Sequence, residues 1–121
     1  MSLKKTVYSA LIVSASDRMT GVLSSLLSDL GFSPVHTECS ISAARRTLNE
    51  RVYDFIIVNA PLPDDAGIRF SIDACRENDS IVLLLVPSEL HAEVHENAAP
   101  HGVFTLPKPM SRKRRRIVGC P

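Results

Sequence analysis

Three segments of this chain stay apolar over a strand's length, without the polar alternation of a half-exposed strand. They are SALIVSA at Ser9–Ala15, DFIIVN ending at Asn59, and IVLLLV at Ile81–Val86. A strand with no polar face is buried on both faces, and in a water-soluble chain that means a sheet covered by helices on both sides. The intervening segments supply the helices. In SDRMTGVLSSLLSDLGF, Met19, Val22, Leu23, Leu26, Leu27 and Leu30 fall at helical spacing as one stripe. Ser16 or Asp17 can cap its start, and Gly31 can take the left-handed position past its end.

The rest of the chain repeats this alternation. PVHTEC reads as a weaker strand of mixed polarity, placed at an edge. Ser40 or Ser42 opens SISAARRTLNER, with Ile41, Ala44 and Leu48 facing inward. A helix from Gly67 to about Glu77 presents Ile68, Ile72 and Cys75. Ser88 can cap SELHAEVHENAA, where Leu90 and Val94 form a narrow stripe, and a last strand Val103–Leu106 ends at Pro107-Lys108-Pro109. Strand and helix alternate four times before a fifth strand. The expected fold is α/β, a doubly wound parallel five-stranded sheet of order 2-1-3-4-5, flavodoxin-like. In such a sheet the site lies at the carboxyl ends of the first, third and fifth strands. Here those ends carry Ser14, Ala15, Ser16 and Asp17, then Asn59, then Lys108.

Composition narrows the functional classes. The 121 residues suit one domain with one substantial core. No apolar run approaches the roughly 20 residues of a membrane span. The opening MSLKKTVYS lacks a signal peptide's apolar stretch, so no membrane association and a cytoplasmic location are expected. Cys39, Cys75 and Cys120 are odd in number and widely spaced, which suits reduced thiols. His91 and His95 stand at a chelating spacing, but HAEVH departs from the metalloprotease order and reads as two exposed histidines. With no G-x-G-x-x-G, P-loop or nucleophile–base pair, the chain is not expected to be an enzyme, and neither metal nor cofactor is expected.

The net charge of +1 conceals a split. Arg112, Lys113, Arg114, Arg115 and Arg116 hold five of the 14 basic residues, leaving residues 1–111 with 9 basic against 13 acidic. A mildly acidic body disfavours a nucleic-acid surface spread over the fold, so any such role rests on the tail. The expected division is a leader at 1–8 resembling in part an expression remnant, a domain at 9–111 and a basic tail at 112–121.

At its strand ends the chain resembles the receiver domain of bacterial response regulators. DFIIVNAPLPDDAG is similar, without a gap, to that family's third strand, phospho-acceptor, Leu-Pro turn and glycine, and Lys108-Pro109 resembles its Lys-Pro step. The similarity runs from about Ser9 to Ser111. Carried over residue by residue, it places Asn59 at the acceptor aspartate and Ser14 and Ala15 at the acidic pair that holds Mg²⁺, with Asp17 nearby. Val86 falls at the hydroxyl residue that ends the fourth strand, and Thr105 or Phe104 at the switch residue. Lys108 alone is retained. An amide cannot attack phosphorus, and Mg²⁺ wants carboxylate oxygens, so the resemblance implies a pseudo-receiver without aspartyl phosphorylation. Asn59 is expected to hydrogen-bond Lys108, or to leave Lys108 free for Asp17 or Asp64.

A narrower resemblance concerns partners. NAPLPD, SALIVS and GVFTLPKPMSR are similar to the degenerate receivers that precede ANTAR-type RNA-binding antiterminator modules. It implies an output half not contained in the twelve residues after Pro109. The family's closing helix corresponds to MSRKRRRIVGCP, whose basic run offers no apolar stripe, so that helix is expected to be short or missing. An apolar flank would then lie open for a homodimer, a swapped tail or an output domain. RNA contact would come through the missing module or through Arg112–Arg116.

Overall fold

The computed structural model describes residues 7–108. The expected short closing helix and the tail Arg112–Arg116 lie outside the described residues. Five parallel strands are joined by helices in the order β1 (Ala10–Val13), α1 (Asp17–Asp29), β2 (Val35–Glu38), α2 (Ile41–Glu50), β3 (Phe55–Asn59), α3 (Ile68–Asn78), β4 (Ile81–Val86), α4 (His91–Ala98) and β5 (Phe104–Pro107). Short 3₁₀ turns at Ser88–Leu90 and Ala99–His101 flank α4. The sheet order is β2-β1-β3-β4-β5, as the alternation predicts. Register places Val13 beside Val58, and Asn59 beside Leu85. The ends of β1 and β3 therefore meet at one edge.

The helix boundaries follow local chemistry. Ser16 Oγ accepts the Met19 N–H at 3.2 Å and Ser40 Oγ that of Ala43 at 3.2 Å, each satisfying an orphan donor of a first turn. Gly31 has φ +99° just past α1, where a side chain would be strained. Ser88 does not cap α4. Its hydroxyl donates instead to the Lys108 carbonyl at 2.7 Å, tying the end of β4 to the end of β5.

Two apolar layers sandwich the sheet. One joins Leu11, Val13, Ile56, Val58, Val82, Leu84 and Val86 to α2, α3 and α4. The other joins Ala10, Ile12 and Ile57 to Leu23 and Leu27 of α1, with Leu83 and Leu85 at its margin. Within α3 the deepest residues are Phe70 and Ala74, with Ile72, while Ile68 and Cys75 pack from the side.

The α1 stripe is narrower than its spacing suggests. Leu23 and Leu27 are buried, but Val22 and Leu26 are 57% and 50% exposed and Leu30 is exposed too. Similarly β4 is buried on one face only. Leu83 and Leu85 pair in register with Phe104 and Leu106 of β5, so all four share the α1 face, as does Ile81 two residues before Leu83. Ile81, Phe104 and Leu106 are exposed there. Among the described residues α1 alone covers this face, and it packs on the β2–β1 side, reaching Ile57 of β3. Leu90 of the second narrow stripe is likewise exposed, whereas Val94 and Ala98 are buried.

Candidate functional site

Asn59 ends β3 and is only 7% exposed. The Ala60 N–H just beyond it donates to the Leu85 carbonyl at 2.9 Å, continuing the ladder and fixing the strand end. Asn59 Nδ2 donates to Ser14 Oγ at 3.1 Å, and Ser14 Oγ also accepts the Ser16 N–H at 3.2 Å. The amide, the end of β1 and the cap of α1 thus form one chain of hydrogen bonds. Asn59 Oδ1 is buried and meets no donor among the described residues. It leaves one acceptor at the edge of the sheet.

The loop after β3 is fixed by its own hydrogen bonds and by one glycine. The Leu62 N–H donates to the Asp65 carbonyl at 2.8 Å, and the Gly67 N–H to Asp65 Oδ1 at 2.7 Å. Gly67 has φ +89°, and a Cβ there would stand 3.1 Å from Val58 Cγ1. Glycine is needed both for that backbone angle and for the close approach to β3.

Asp64 is not a partner for Lys108. Its two carboxylate oxygens accept the Ile41 and Ser42 N–H groups, each at 3.0 Å, at the start of α2. Those backbone donors hold its carboxyl below the ordinary value. The stabilisation is therefore complete above the ordinary carboxylate range, near ~3.9, and is lost as pH falls through the depressed folded value. Asp64→Asn is expected to flatten that part of the acid limb while leaving the neutral-pH fold intact. Thermal midpoints collected from pH 7 to pH 3 on both proteins check this.

Asn59 bonds Ser14 rather than Lys108, so the other expected contact of Lys108 is replaced as well. Lys108 is half-buried, and its backbone is pinned by an N–H donated to the Val86 carbonyl at 2.8 Å. Its ammonium has no side-chain hydrogen bond or ion pair among the described residues. Burial pushes its pKa down, because desolvation disfavours the charged form. Asp17 sits exposed in the first turn of α1, where its charge favours the helix dipole.

The Mg²⁺ that the resemblance brings to mind does not fit these residues. Ala15 offers a methyl, Ser14 a hydroxyl already bonded, and Asn59 a single neutral amide oxygen, its Nδ2 being engaged with Ser14. Mg²⁺ needs near-octahedral oxygens with at least one or two carboxylates. Among the described residues no group of three or more His, Cys, Asp and Glu could hold a metal.

The candidate switch positions separate cleanly. Val86 is buried and carries no hydroxyl, and Ser88 spends its own on Lys108. Thr105 is buried on the α4 side of β5, while Phe104 is 62% exposed on the other side. Thr105 Oγ1 lies 2.7 Å from His95 Nδ1 and 3.4 Å from His91 Nε2. His95 is exposed as expected and His91 is half-buried, and both rings reach Thr105 on β5. Their one-turn spacing was legible, but the target on β5 had no sequence signal. Nor did the bond between buried Tyr53 and His36, whose OH and Nδ1 lie 2.5 Å apart under α2.

No protein-family model matches the chain, and no curated protein matches it. Solved structures do. A CheY-like response regulator receiver domain from Methylobacillus flagellatus is similar at 22% identity and TM-score 0.74, with 93% of this chain and 96% of that one covered. The NtrC4 receiver domain, solved as a beryllofluoride-activated dimer, is similar at 26% identity and TM-score 0.71, with 90% of each chain covered. The receiver domain of a sensor histidine kinase from Pseudomonas aeruginosa PAO1 is similar at 23% identity and TM-score 0.69, over 93% of this chain and 94% of that one. That structure holds a magnesium ion coordinated in its active-site cleft. The fold of this chain is the receiver-domain fold.

Proposed function

We propose that this chain is a receiver-type module of two-component signalling that works without aspartyl phosphorylation, by protein contact. The carrying observation is the buried Asn59 amide locked to Ser14, where the receiver fold otherwise presents an attacking carboxylate. Ala15 and Val86 support it, because they remove a metal ligand and the hydroxyl that would follow the phosphoryl group. A site lacking nucleophile and metal ligands retains shape without covalent chemistry. The module is then a cytoplasmic signalling element and not an enzyme.

Its partner is a second copy of the chain, seated on the open half of the α1 face. Ile81 on β4 and Phe104 and Leu106 on β5 expose apolar side chains on this half of the face, and exposed apolar patches mark contacts. The similar NtrC4 domain being a dimer agrees with such a use of the fold. A second reading makes the same domain the receiver half of an RNA-binding antiterminator. It rests on the NAPLPD and GVFTLPKPMSR stretches, and places RNA contact outside residues 9–111.

Beryllofluoride with Mg²⁺ tests the first reading, since it mimics an aspartyl phosphate only where acceptor and metal ligands exist. Amide spectra are expected to stay unchanged on addition, while sedimentation reports a dimer that Phe104→Asp converts to monomer. Saturable shifts around Asn59 and Ser14, or a clean monomer at high concentration, would contradict it.

A further inference from the structure

The two edges of this sheet are not equivalent. The Ala10 N–H donates to the Pro34 carbonyl at 3.0 Å and the Ser14 N–H to the Glu38 carbonyl at 2.9 Å, so Pro34, His36 and Glu38 face β1. In a parallel strand alternate residues bond to opposite sides. Val35 and Thr37 therefore point their N–H and C=O groups outward, and no described strand lies beyond β2. The β5 edge is blunted instead. Lys108 donates inward to Val86, which leaves Thr105 and Pro107 on the outer side, and Pro107 has no N–H to give.

The β2 edge also borders a groove. About 450 Å³ lies between the four residues of β2 and the end of α2, where Thr47, Glu50 and Arg51 stand. Its floor is held in place, because buried Tyr53 bonds His36 through its OH and Thr47 Oγ1 donates to Glu38 Oε2. The Arg51 guanidinium rests over the Tyr53 ring at 5.1 Å. Burial raises the pKa of the Tyr53 phenol, Arg51 lowers it, and Glu38 and Glu50 raise it again, so these three charges face the groove. Neither carboxylate has an ion pair among the described residues. The groove thus sets two carboxylates against one guanidinium.

We infer that the β2 edge and this groove bind an extended segment of a partner protein that carries basic side chains at alternate positions. The segment adds to the sheet as a sixth strand, its main chain meeting Val35 and Thr37. Side chains of an added strand alternate between the two faces of the sheet. His36 and Glu38 mark the α2 face, since they bond Tyr53 and Thr47, while Val35 packs with the α1 layer. Every second side chain of the segment therefore enters the groove, where lysine or arginine meets Glu38 and Glu50. Those between them lie on the side of Val35, where apolar β-branched residues fit. With only four residues in β2, the edge suits a single peptide segment rather than the pairing of whole sheets. It stands at the far side of the sheet from the β4–β5 surface proposed for self-association, and does not depend on it.

The synthetic peptide Thr-Lys-Val-Arg-Val-Thr, blocked at both ends and titrated into the full chain under amide NMR, tests the inference. The Val35 and Thr37 amide signals are expected to move and to saturate in the sub-millimolar range. The same peptide N-methylated throughout, or with glutamate for both basic residues, should bind at least about tenfold more weakly. Glu50→Lys should weaken binding about fivefold, and a lysine in the last turn suits the dipole of α2, so the helix is kept. Phe104→Asp should bind the peptide as the natural chain does, which separates this surface from the self-associating one. Val35 and Thr37 signals that stay still at millimolar peptide would overturn the inference. Equal binding of the N-methylated or the acidic peptide would do the same. Movement of those two signals on diluting the chain alone would assign the edge to a second copy, and so overturn it too.

Discussion

Replacing Phe70 by alanine is expected to remove about 3–5 kcal/mol of stability, the cost of emptying an aromatic site that cannot collapse. Phe70, on α3, is almost fully buried within the layer formed by β1, β3 and β4 against α2 to α4. Its ring also lies 5.6 Å from the Arg45 guanidinium, which is held by Asp73 at 3.2 Å, so the α2–α3 seam closes over it. A small domain's total stability is only about 5–15 kcal/mol, so the variant approaches its unfolding threshold. Phe104→Ala is the matched control. That ring is mostly exposed, and its loss should change the stability of the monomer by no more than ~0.5 kcal/mol. Urea unfolding of both, below the dimerisation range, reads the difference as a shift in midpoint at constant slope. Equal losses would mean that the sheet's α1 face is as closed as the other.

The second large effect is a gain. Ser14→Asp/Ala15→Asp/Asn59→Asp should bind Mg²⁺ and take up a phosphoryl group from acetyl phosphate, where Asn59→Asp alone should not. The triple variant supplies the nucleophile and carboxylate oxygens for a hard cation, and Lys108 already stands at the end of β5. Uptake should be slow, because Val86 offers no hydroxyl to the transferred group. The single variant restores only the attacking oxygen and buries an unpaired charge at a site 7% exposed. Intact mass after incubation distinguishes the two. A folded triple variant that stays unmodified would show that the loop geometry, and not only the side chains, has departed from phosphoryl transfer.

Most of the fold was legible because it rests on local rules. Ser16 and Ser40 cap, Gly31 stops α1, and two-sided apolar strands order themselves beneath helices. What the sequence could not give was which apolar residues are covered. Val22 and Leu26 look like Leu23 and Leu27 on a helical wheel, and Ile81 looks like Val82. The difference lies in which element packs above them, a long-range fact. Phe70 shows the opposite case: it stands outside the helical stripe of Ile68, Ile72 and Cys75, yet it is the more deeply buried residue. Ser14, Asn59 and Lys108 do lie at the carboxyl ends of β1, β3 and β5, where the strand pattern puts them. Their partners were not legible, since the amide turned to Ser14 and Asp64 to the start of α2, contacts between residues 45 and 23 positions apart.

The central claim is that the receiver fold here has kept its cleft and given up its covalent step. Incubating the natural chain with acetyl phosphate and Mg²⁺, then measuring intact mass, tests it most directly. The expected spectrum is that of the unmodified chain at every time point. A stoichiometric phosphoryl adduct would contradict the account, wherever on the chain it resides.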